Sequence, residues 1–346
     1  MKTIKIFFED CGPTTFCIDP IINIIKKDCN VVVEKNPDYL FFSSYGFNHY
    51  KRKYDDCVKI FYTYENTEPD FSSFDYGIGF QHLDAGDRYL RFPSYLVNGF
   101  SKLNKEKKSI DKSFADKIDY EKVRGGGGKF LTNRKFCNVI WSKHNSKIDP
   151  FRIKFFDLLN KYKTIDCGGT WNNNIGRQIG SPTEWNSKIQ FMQEYKFSFA
   201  LENSSLSGYT TEKIVHAMLA NSIPLYYGNP DIEKDFNTKS MVFINDFDTM
   251  EAAVEEIIRL DKDDNAYMEK LQEPWYYGDD YDKHEYKLRL FFKNIFEKPI
   301  EQSKRMTKYG YIRVLNTRMQ AVQQNWHWIR KIMKIKNYLA KGNLYS

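Results

Sequence analysis

Residues 195–213 of the chain read YKFSFALENSSLSGYTTEK, and this stretch decides the fold class. Its first part, Tyr195 to Glu202, is an apolar run of strand length, which is typical of a buried strand in a parallel sheet. Small and polar residues follow, and the run Thr210-Thr211-Glu212-Lys213 favours the start of a helix. A buried strand, a polar crossing and a helix form half of a βαβ unit, so the stretch predicts an α/β fold.

The same alternation continues on both sides of this stretch. In the second half of the chain, strands are predicted at 136–141, 164–167, 223–227 and 241–244, and helices at 150–162, 211–221 and 250–260. The first half predicts strands at 4–8, 31–33, 39–42 and 59–63, with a helix at 21–27. Two such series predict two doubly wound lobes with a cleft between them. We expect domains at 1–130 and 131–300, followed by a tail at 301–346.

The composition is that of a folded protein with a basic C-terminal region. Of the 346 residues, 41% are hydrophobic and 16% aromatic, which excludes a disordered or collagen-like chain. The formal charge is +7, and residues 301–346 contribute +9 from ten Lys/Arg and one acidic residue, so residues 1–300 carry −2. Because the body is close to neutral, we expect no nucleic-acid partner.

Three further features set expectations for location and redox state. No stretch approaches the roughly 20 apolar residues that span a bilayer, and the first ten residues are typical of a strand rather than a signal peptide. The six cysteines lack metal-site spacing and are expected to be reduced thiols. The glycines at 125–128 favour a linker over a phosphate loop, because no Lys-Ser/Thr pair follows them. The lack of a bilayer-spanning stretch, the strand-like first ten residues and the reduced thiols together predict a cytoplasmic protein.

Lys213 has the clearest chemical implication in the opening stretch. A helix N-terminus exposes backbone N–H groups and the positive end of the helix dipole, so it favours anions. A cation in the first turn is locally unfavourable unless an anion binds beside it, which makes Lys213 a candidate anion ligand. The alternative is an exposed lysine on a helix capped in the ordinary way by Thr210 or Thr211.

Several ordered motifs resemble those of glycosyltransferase family 10, the α-1,3/4-fucosyltransferases. The donor-site signature of that family is similar to ENSSLSGYTTEKI (202–214), IPLYYG (223–228), DFNTKS (235–240) and INDF (244–247). Its acceptor-side segment is similar to FYTYEN (61–66), FDYGIGF (74–80) and DRYLRFP (87–93). Because these motifs occur in order over roughly residues 1–300, the resemblance is more specific than one short pattern.

The resemblance implies a GT-B fold, in which two Rossmann-like lobes bind the acceptor (1–130) and the donor (131–300). It also implies inverting transfer of L-fucose from GDP-β-L-fucose to O3 of N-acetylglucosamine in an N-acetyllactosamine-type glycan. Two alternatives stay open at this point. One is a related transferase that uses another nucleotide sugar, and the other is a non-catalytic scaffold that binds lipid or nucleic acid.

By similarity, Glu65 is the general base of an inverting transfer, and Tyr64 and Asn66 lie beside it on the acceptor side. Without the resemblance, a surface glutamate near Glu68 and Asp70 is the simpler interpretation of Glu65. By the same similarity, Arg152 and Lys213 stabilise the departing pyrophosphate, and Glu212 assists them. The implied donor-binding residues are Asn203, Ser204, Tyr209, Thr211, Glu212, Lys213 and Arg152.

No metal or cofactor is expected. The acidic runs at 261–264 and 279–282 lie in polar stretches, and both are expected to be solvated turns. The six histidines include no i, i+4 pair of the kind that binds zinc. In this interpretation Arg152 and Lys213 do the work that a divalent metal does in metal-dependent transferases.

The tail shows an apolar stripe at helical spacing. The stripe consists of Leu315, Met319, Val322, Trp326, Ile329 and Met333. Basic residues lie off it, which favours an amphipathic helix on the anionic inner face of the cell membrane. A helix packed back on the body and a coiled-coil seam of a homodimer are the alternatives.

Overall fold

The computed structural model of the chain describes residues 1–11, 18–100, 132–142, 150–180, 185–276, 278 and 281–306, and eight single positions between 315 and 332. The glycine run at 125–128 and the stripe residues Ile329 and Met333 lie outside the described residues. The expectations for these residues therefore stay predictions.

The described residues before position 101 form six strands and one α-helix, besides three short 3-10 helices and one π-helical segment. The strands and the α-helix are β1 (Lys2–Glu9), α1 (Ile18–Ile25), β2 (Cys29–Val33), β3 (Tyr39–Phe42), β4 (Val58–Tyr62), β5 (Tyr76–Gly79) and β6 (Tyr89–Arg91). Every residue of β3, β4 and β5 is buried. Buried strands of this kind are expected where both faces of a parallel sheet are covered.

The described residues after position 131 continue the alternation. They form β7 (Lys135–Val139), α2 (Pro150–Asn160), β8 (Asp166–Cys167), α3 (Trp185–Met192), β9 (Tyr195–Leu201), α4 (Glu212–Leu219), β10 (Ile223–Tyr227), β11 (Val242–Phe243), α5 (Met250–Lys262), α6 (Asp264–Gln272), α7 (Tyr281–Phe296) and α8 (Ile300–Ser303). Both the strand at 223–227 and the start of α2 at Pro150 agree with the sequence prediction.

The strands form two sheets of the doubly wound type. The first has the order β2-β1-β3-β4-β5-β6, and the second has the order β11-β10-β9-β7-β8. In the second sheet every pair is parallel, and in the first the four pairs from β2 through β5 are parallel. The strand order reverses at β1/β3 in the first sheet and at β7/β9 in the second. Ligands of such sheets bind at the carboxyl ends of the strands beside these reversals.

The chain folds into two compact units whose boundaries differ from those expected. The first unit contains residues 1–79, 83–90 and the described residues from Leu288 onward, and the second contains 80–82 and the described residues of 91–287. Arg91 explains the early boundary, because its guanidinium donates to the Phe80 carbonyl at 2.8 Å and to Asp235 Oδ1 at 3.0 Å. The end of α7 returns to the first unit because Phe296 packs against the ring of Tyr39.

Asp261 contradicts the expectation that the run 261–264 is a solvated turn. Its side chain is buried, accepts a hydrogen bond from the Tyr162 hydroxyl at 2.9 Å and lies 3.5 Å from Lys196 Nζ. Asp263 caps α6 by accepting from the Ala266 N–H at 3.1 Å. The run therefore joins two helices, and its first carboxylate is buried because it has charged and polar partners.

The described part of the tail combines an ion pair with exposed apolar side chains. Arg318 pairs with Asp55 of the first unit. Met319, Val322 and Trp326 are 61%, 67% and 54% exposed. Nowhere in the described residues is a helix long and apolar enough to cross a membrane.

Candidate active site

A buried carboxylate holds Lys213 in the first turn of α4. The ammonium Nζ lies 2.8 Å from Glu202 Oε2 and 2.8 Å from the hydroxyl oxygen of Thr211. Glu202 follows β9 and is 0% exposed. Burial opposes the charge of Lys213, but the carboxylates of Glu202 and Glu212 raise its pKa above the ordinary value. Lys213 is therefore a charged and positioned cation rather than a solvated surface lysine.

Glu202 also fixes Thr211, the residue that precedes α4. It accepts hydrogen bonds from the backbone N–H of Thr211 at 2.7 Å and from the Thr211 hydroxyl at 2.9 Å. Thr211 is the N-cap residue, yet its own side chain makes no capping bond to the helix. The ordinary capping by Thr211 considered from the sequence is therefore not made, and Glu202 instead fixes the N-cap residue itself. A Cβ at Gly228 would lie 2.6 Å from Glu202 Cγ, so this packing requires a glycine after β10.

Arg152 provides a second cation from α2. It is only 7% exposed, and its Nη1 donates to Asn203 Oδ1 at 2.9 Å. The guanidinium also lies over the Trp141 ring, 4.4 Å from the centroid, at a distance typical of a cation–π contact. Arg152 is therefore a buried cation held by a polar and an aromatic partner, not a solvated residue on the helix surface.

One cavity of about 280 Å³ brings the predicted cations together within the second unit. Arg152, Asn203, Glu212 and Lys213 line it, and Trp141 forms part of its apolar wall. The cavity lies at the carboxyl ends of β7 and β9, where the strand order reverses. Burial opposes the charge of Glu212, but the positive charges of Lys213, His216 and Lys188 lower its pKa to about 2. Arg152, Lys188 and Lys213 thus place positive charges in the lining of the cavity.

Three predicted donor residues do not line this cavity. Tyr209 is 3% exposed, and its ring packs edge-on against Phe80, with 5.1 Å between centroids. Gly208, with φ of +79°, turns the chain there and donates its N–H to Asn229 Oδ1 at 2.7 Å. Thr211 is bound to Glu202, and Ser204 is half-buried in the connection after β9. Direct donor contacts by these three residues stay predictions.

Glu65 follows β4 at the carboxyl edge of the first sheet, as the sequence predicts. It is half-buried, and its Oε1 accepts a hydrogen bond from the phenol of Tyr45. Its backbone N–H donates to the hydroxyl of Thr63 at 3.0 Å. Tyr64 packs edge-on against Tyr62, and Asn66 is half-buried beside it. The structure thus defines the position of Glu65, and its role stays a proposal.

Asp10 and His49 anchor the segment that supplies Tyr45. Asp10 Oδ2 accepts from the His49 N–H at 2.9 Å and lies 2.7 Å from His49 Nδ1, and the Asp10 carbonyl accepts from the Tyr45 N–H at 3.1 Å. Asp10 has φ of +54°, and a Cβ at Gly46 would lie 3.0 Å from Asp10 Cγ. His49 also stacks on Phe42, with 4.0 Å between centroids. The sequence offered no signal for this pair, because its members lie on separate connections.

We expect this buried pair to make the stability of the chain depend on pH. Burial lowers the pKa of His49, which its hydrogen bond to Asp10 only partly offsets. Burial opposes the charge of Asp10, but hydrogen bonds from His49 lower its pKa overall. A group with a lowered pKa in the folded state binds protons more readily when unfolded, so stability is lost as the pH falls. For His49 the loss should begin near its unfolded pKa of about 6.5.

The test compares the thermal midpoint of the parent with that of His49→Gln between pH 7.5 and 5.5. The midpoint of the parent should fall more steeply over this range, because the variant has no imidazole to protonate at this position. Equal slopes for the two proteins would contradict the role assigned to the pair.

Two family models match the chain in order. The N-terminal domain of alpha-(1,3)-fucosyltransferase FucT matches residues 6–98, and the C-terminal model of glycosyltransferase family 10 (fucosyltransferase) matches residues 132–285. The alpha-(1,3)-fucosyltransferase FucT of Helicobacter pylori is 31% identical over 274 residues, which cover 72% of this chain. The match spans 55% of the length of that relative.

Solved structures of the same class are similar over most of the chain. A crystal structure of an alpha1,3-fucosyltransferase aligns with a TM-score of 0.69 and 28% identity, covering 86% of this chain and 92% of that one. A crystal structure of an alpha1,3-fucosyltransferase with GDP-fucose aligns with a TM-score of 0.65 and 26% identity, over 86% and 92% of the two chains. The fold is thus that of a GT-B glycosyltransferase with two Rossmann-like lobes, which confirms the predicted class. Within that class, the chain belongs to glycosyltransferase family 10.

Proposed function

We propose that the chain transfers L-fucose from GDP-β-L-fucose to O3 of N-acetylglucosamine in an N-acetyllactosamine-type glycan, with inversion at the fucose C1. The cavity of the second unit carries the proposal. Lys213 and Arg152, each held by a polar partner, line it together with a helix N-terminus that favours an anionic diphosphate. Membership of the family supports the sugar, and one similar structure was solved with GDP-fucose.

In the proposed reaction, the Glu65 carboxylate takes the proton from the acceptor O3–H. The O3 oxygen forms a bond to C1 of fucose from the face opposite the nucleotide. The bond between C1 and the β-phosphate oxygen breaks, and its electron pair leaves with GDP. Arg152 and Lys213 stabilise the negative charge that develops on the diphosphate. Tyr64 and Asn66 are proposed to contact the acceptor, and Asn203, Ser204, Tyr209, Thr211 and Glu212 the donor.

The test is fucosyl transfer from GDP-fucose to N-acetyllactosamine by the purified chain in excess EDTA, with the product linkage read by NMR. An α-1,3 product formed in EDTA supports the acceptor and the metal-independent diphosphate site. Activity that returns only when Mn²⁺ or Mg²⁺ is added would show that a metal is needed. Transfer from a different nucleotide sugar in a donor panel would favour the related transferase. No turnover, together with no thermal protection by GDP-fucose, would overturn the donor assignment.

We further propose that the tail binds the anionic inner face of the membrane, because its apolar side chains are exposed beside basic ones. Trp326→Ser should weaken binding to phosphatidylglycerol vesicles about tenfold or more, given the 1.5–3 kcal/mol typical of burying a large apolar side chain. Tyr286→Ser is the control, since Tyr286 is a 58% exposed aromatic outside the tail. Co-sedimentation measures binding. Equal binding of the parent and Trp326→Ser would contradict the proposal, and dimers that Trp326→Ser abolishes would favour a coiled coil.

A further inference from the structure

The cavity lined by Arg152, Asn203, Glu212 and Lys213 is called the donor cavity below. One of its cations belongs to no motif found in the sequence. Lys188 lies on α3, and it lines the same cavity as Arg152, Asn203 and Lys213. Its ammonium is close enough to Glu212 to help lower the pKa of that carboxylate. Lys188 thus belongs to the electrostatic environment of the proposed donor site.

The backbone at Gly180 packs against the Lys188 side chain and limits the directions that this side chain can take. Gly180, with φ of +79°, lies beneath the aliphatic stem, and a Cβ there would be 2.8 Å from Lys188 Cγ. The stem therefore crosses a position where only glycine leaves room. A stem confined in this way loses less conformational freedom when its ammonium binds a ligand.

The Lys188 ammonium differs from the other two cations in its partners. Lys213 is paired with Glu202, and Arg152 is bonded to Asn203. Among the residues that the structure describes, none forms a hydrogen bond or an ion pair within 4.0 Å of Lys188 Nζ. A half-buried lysine at a cavity wall, whose ammonium no described carboxylate contacts directly, is suited to an anion that arrives with the ligand.

The net charge of the site favours such an anion. Arg152, Lys188 and Lys213 contribute three positive charges, and the carboxylates Glu202 and Glu212 contribute two negative ones, so an excess of one positive charge remains before any charge on His216 is counted. The N-terminus of α4 adds its partial positive charge beside them. A diphosphate carries at least two negative charges and gains another when the glycosidic bond breaks.

We propose that Lys188 is a third diphosphate-binding cation of the donor site. This inference rests on the proposed function, because it assumes that the cavity takes a nucleoside diphosphate sugar. Lys188 then contacts phosphate oxygens of the bound donor and of the departing nucleotide. The contact is charge-assisted and partly shielded from water, which makes it stronger than a surface ion pair.

The test is calorimetric titration of the full chain and of Lys188→Met with GDP, GMP and guanosine. Methionine keeps an unbranched stem over Gly180 and removes only the charge. We expect GDP to bind the variant about 10- to 100-fold more weakly, as for the loss of a hydrogen bond to a charged group, with guanosine binding unchanged. Lys188→Arg should keep GDP affinity within about threefold, because it restores the charge. Lys154→Met is the control, since Lys154 is exposed on the same helix as Arg152.

Each outcome separates this inference from the function on which it rests. If the parent binds GDP and Lys188→Met binds it equally well, the assignment of Lys188 is wrong and the donor site stands. If GDP and guanosine weaken by the same factor, Lys188 acts only on the shape of the cavity, and the assignment again fails. If the parent binds neither GDP nor GDP-fucose, the proposed function fails, and the Lys188 inference falls with it.

Discussion

Replacing Glu65 with glutamine is expected to lower kcat for fucosyl transfer about 10²- to 10⁴-fold, the range typical of a lost general base. Glutamine keeps the size of the side chain, and its carbonyl can still accept the hydrogen bond from the Tyr45 phenol. It cannot take the proton of the acceptor hydroxyl. Because Glu65 does not line the donor cavity, the KM for GDP-fucose should stay within about twofold.

Glu68→Gln is the matched control for this experiment. Glu68 lies three residues further along the same connection and is exposed, so its replacement should leave kcat unchanged. The thermal midpoint of Glu65→Gln should also match that of the parent, which would exclude misfolding as the cause of lost activity. A Glu65→Gln variant that keeps a tenth or more of the parental kcat would overturn the assignment of Glu65 as the base.

Replacing Lys213 with methionine is expected to lower kcat/KM about 10²- to 10³-fold, as for the loss of one fixed group that stabilises transition-state charge. The same change leaves Glu202 as a buried carboxylate without its ammonium partner. Breaking a buried ion pair in this way costs about 3–5 kcal/mol of folding stability. Lys213→Met should therefore be both less active and less stable, and the two effects must be separated.

The double variant Glu202→Gln/Lys213→Met separates them. It removes both charges, so most of the lost stability should return, while kcat/KM should stay low because the diphosphate still lacks its cation. Urea denaturation measures the stability, and steady-state kinetics measure the transfer. Recovery of activity together with stability would show that Lys213 acts only as a structural partner of Glu202.

The sequence predicted best those strands that are apolar runs bounded by polar residues. Both Tyr39–Phe42 and Ile223–Tyr227 are strands with the predicted bounds. Strand β5 was not predicted, because Tyr76-Gly77-Ile78-Gly79 contains two glycines and has low strand propensity. In the structure this strand is buried and pairs with β4, and a Cβ at Gly77 would lie 2.9 Å from the Phe74 ring. Tertiary packing, rather than propensity, selects it.

The sequence predicted only those site residues whose position follows from a single strand and the segment after it. Lys213 and Glu65 follow buried strands, and parallel sheets place such positions at the carboxyl edge. The pairing of Lys213 with Glu202 was missed because Glu202 resembled the last residue of a strand. Lys188 was missed because the short helix α3 carries no motif that singles out its lysine, and Lys188 joins the cavity only when α3 packs beside α4. Contacts of this kind depend on the fold and cannot be derived from spacing.

The pairing of Arg91 with Asp235 decides where chimeras between members of this family can be joined. The two residues are 144 positions apart in the chain, and a transplanted second unit that began at residue 131 would contain a buried Asp235 without the guanidinium of Arg91. It would also lack Gly99, which packs against Val215 of α4. The described residues from Leu288 onward belong with the first unit instead. Exchange of the second unit therefore needs two junctions, one just before Arg91 and one near Leu288, rather than a single cut in the glycine run.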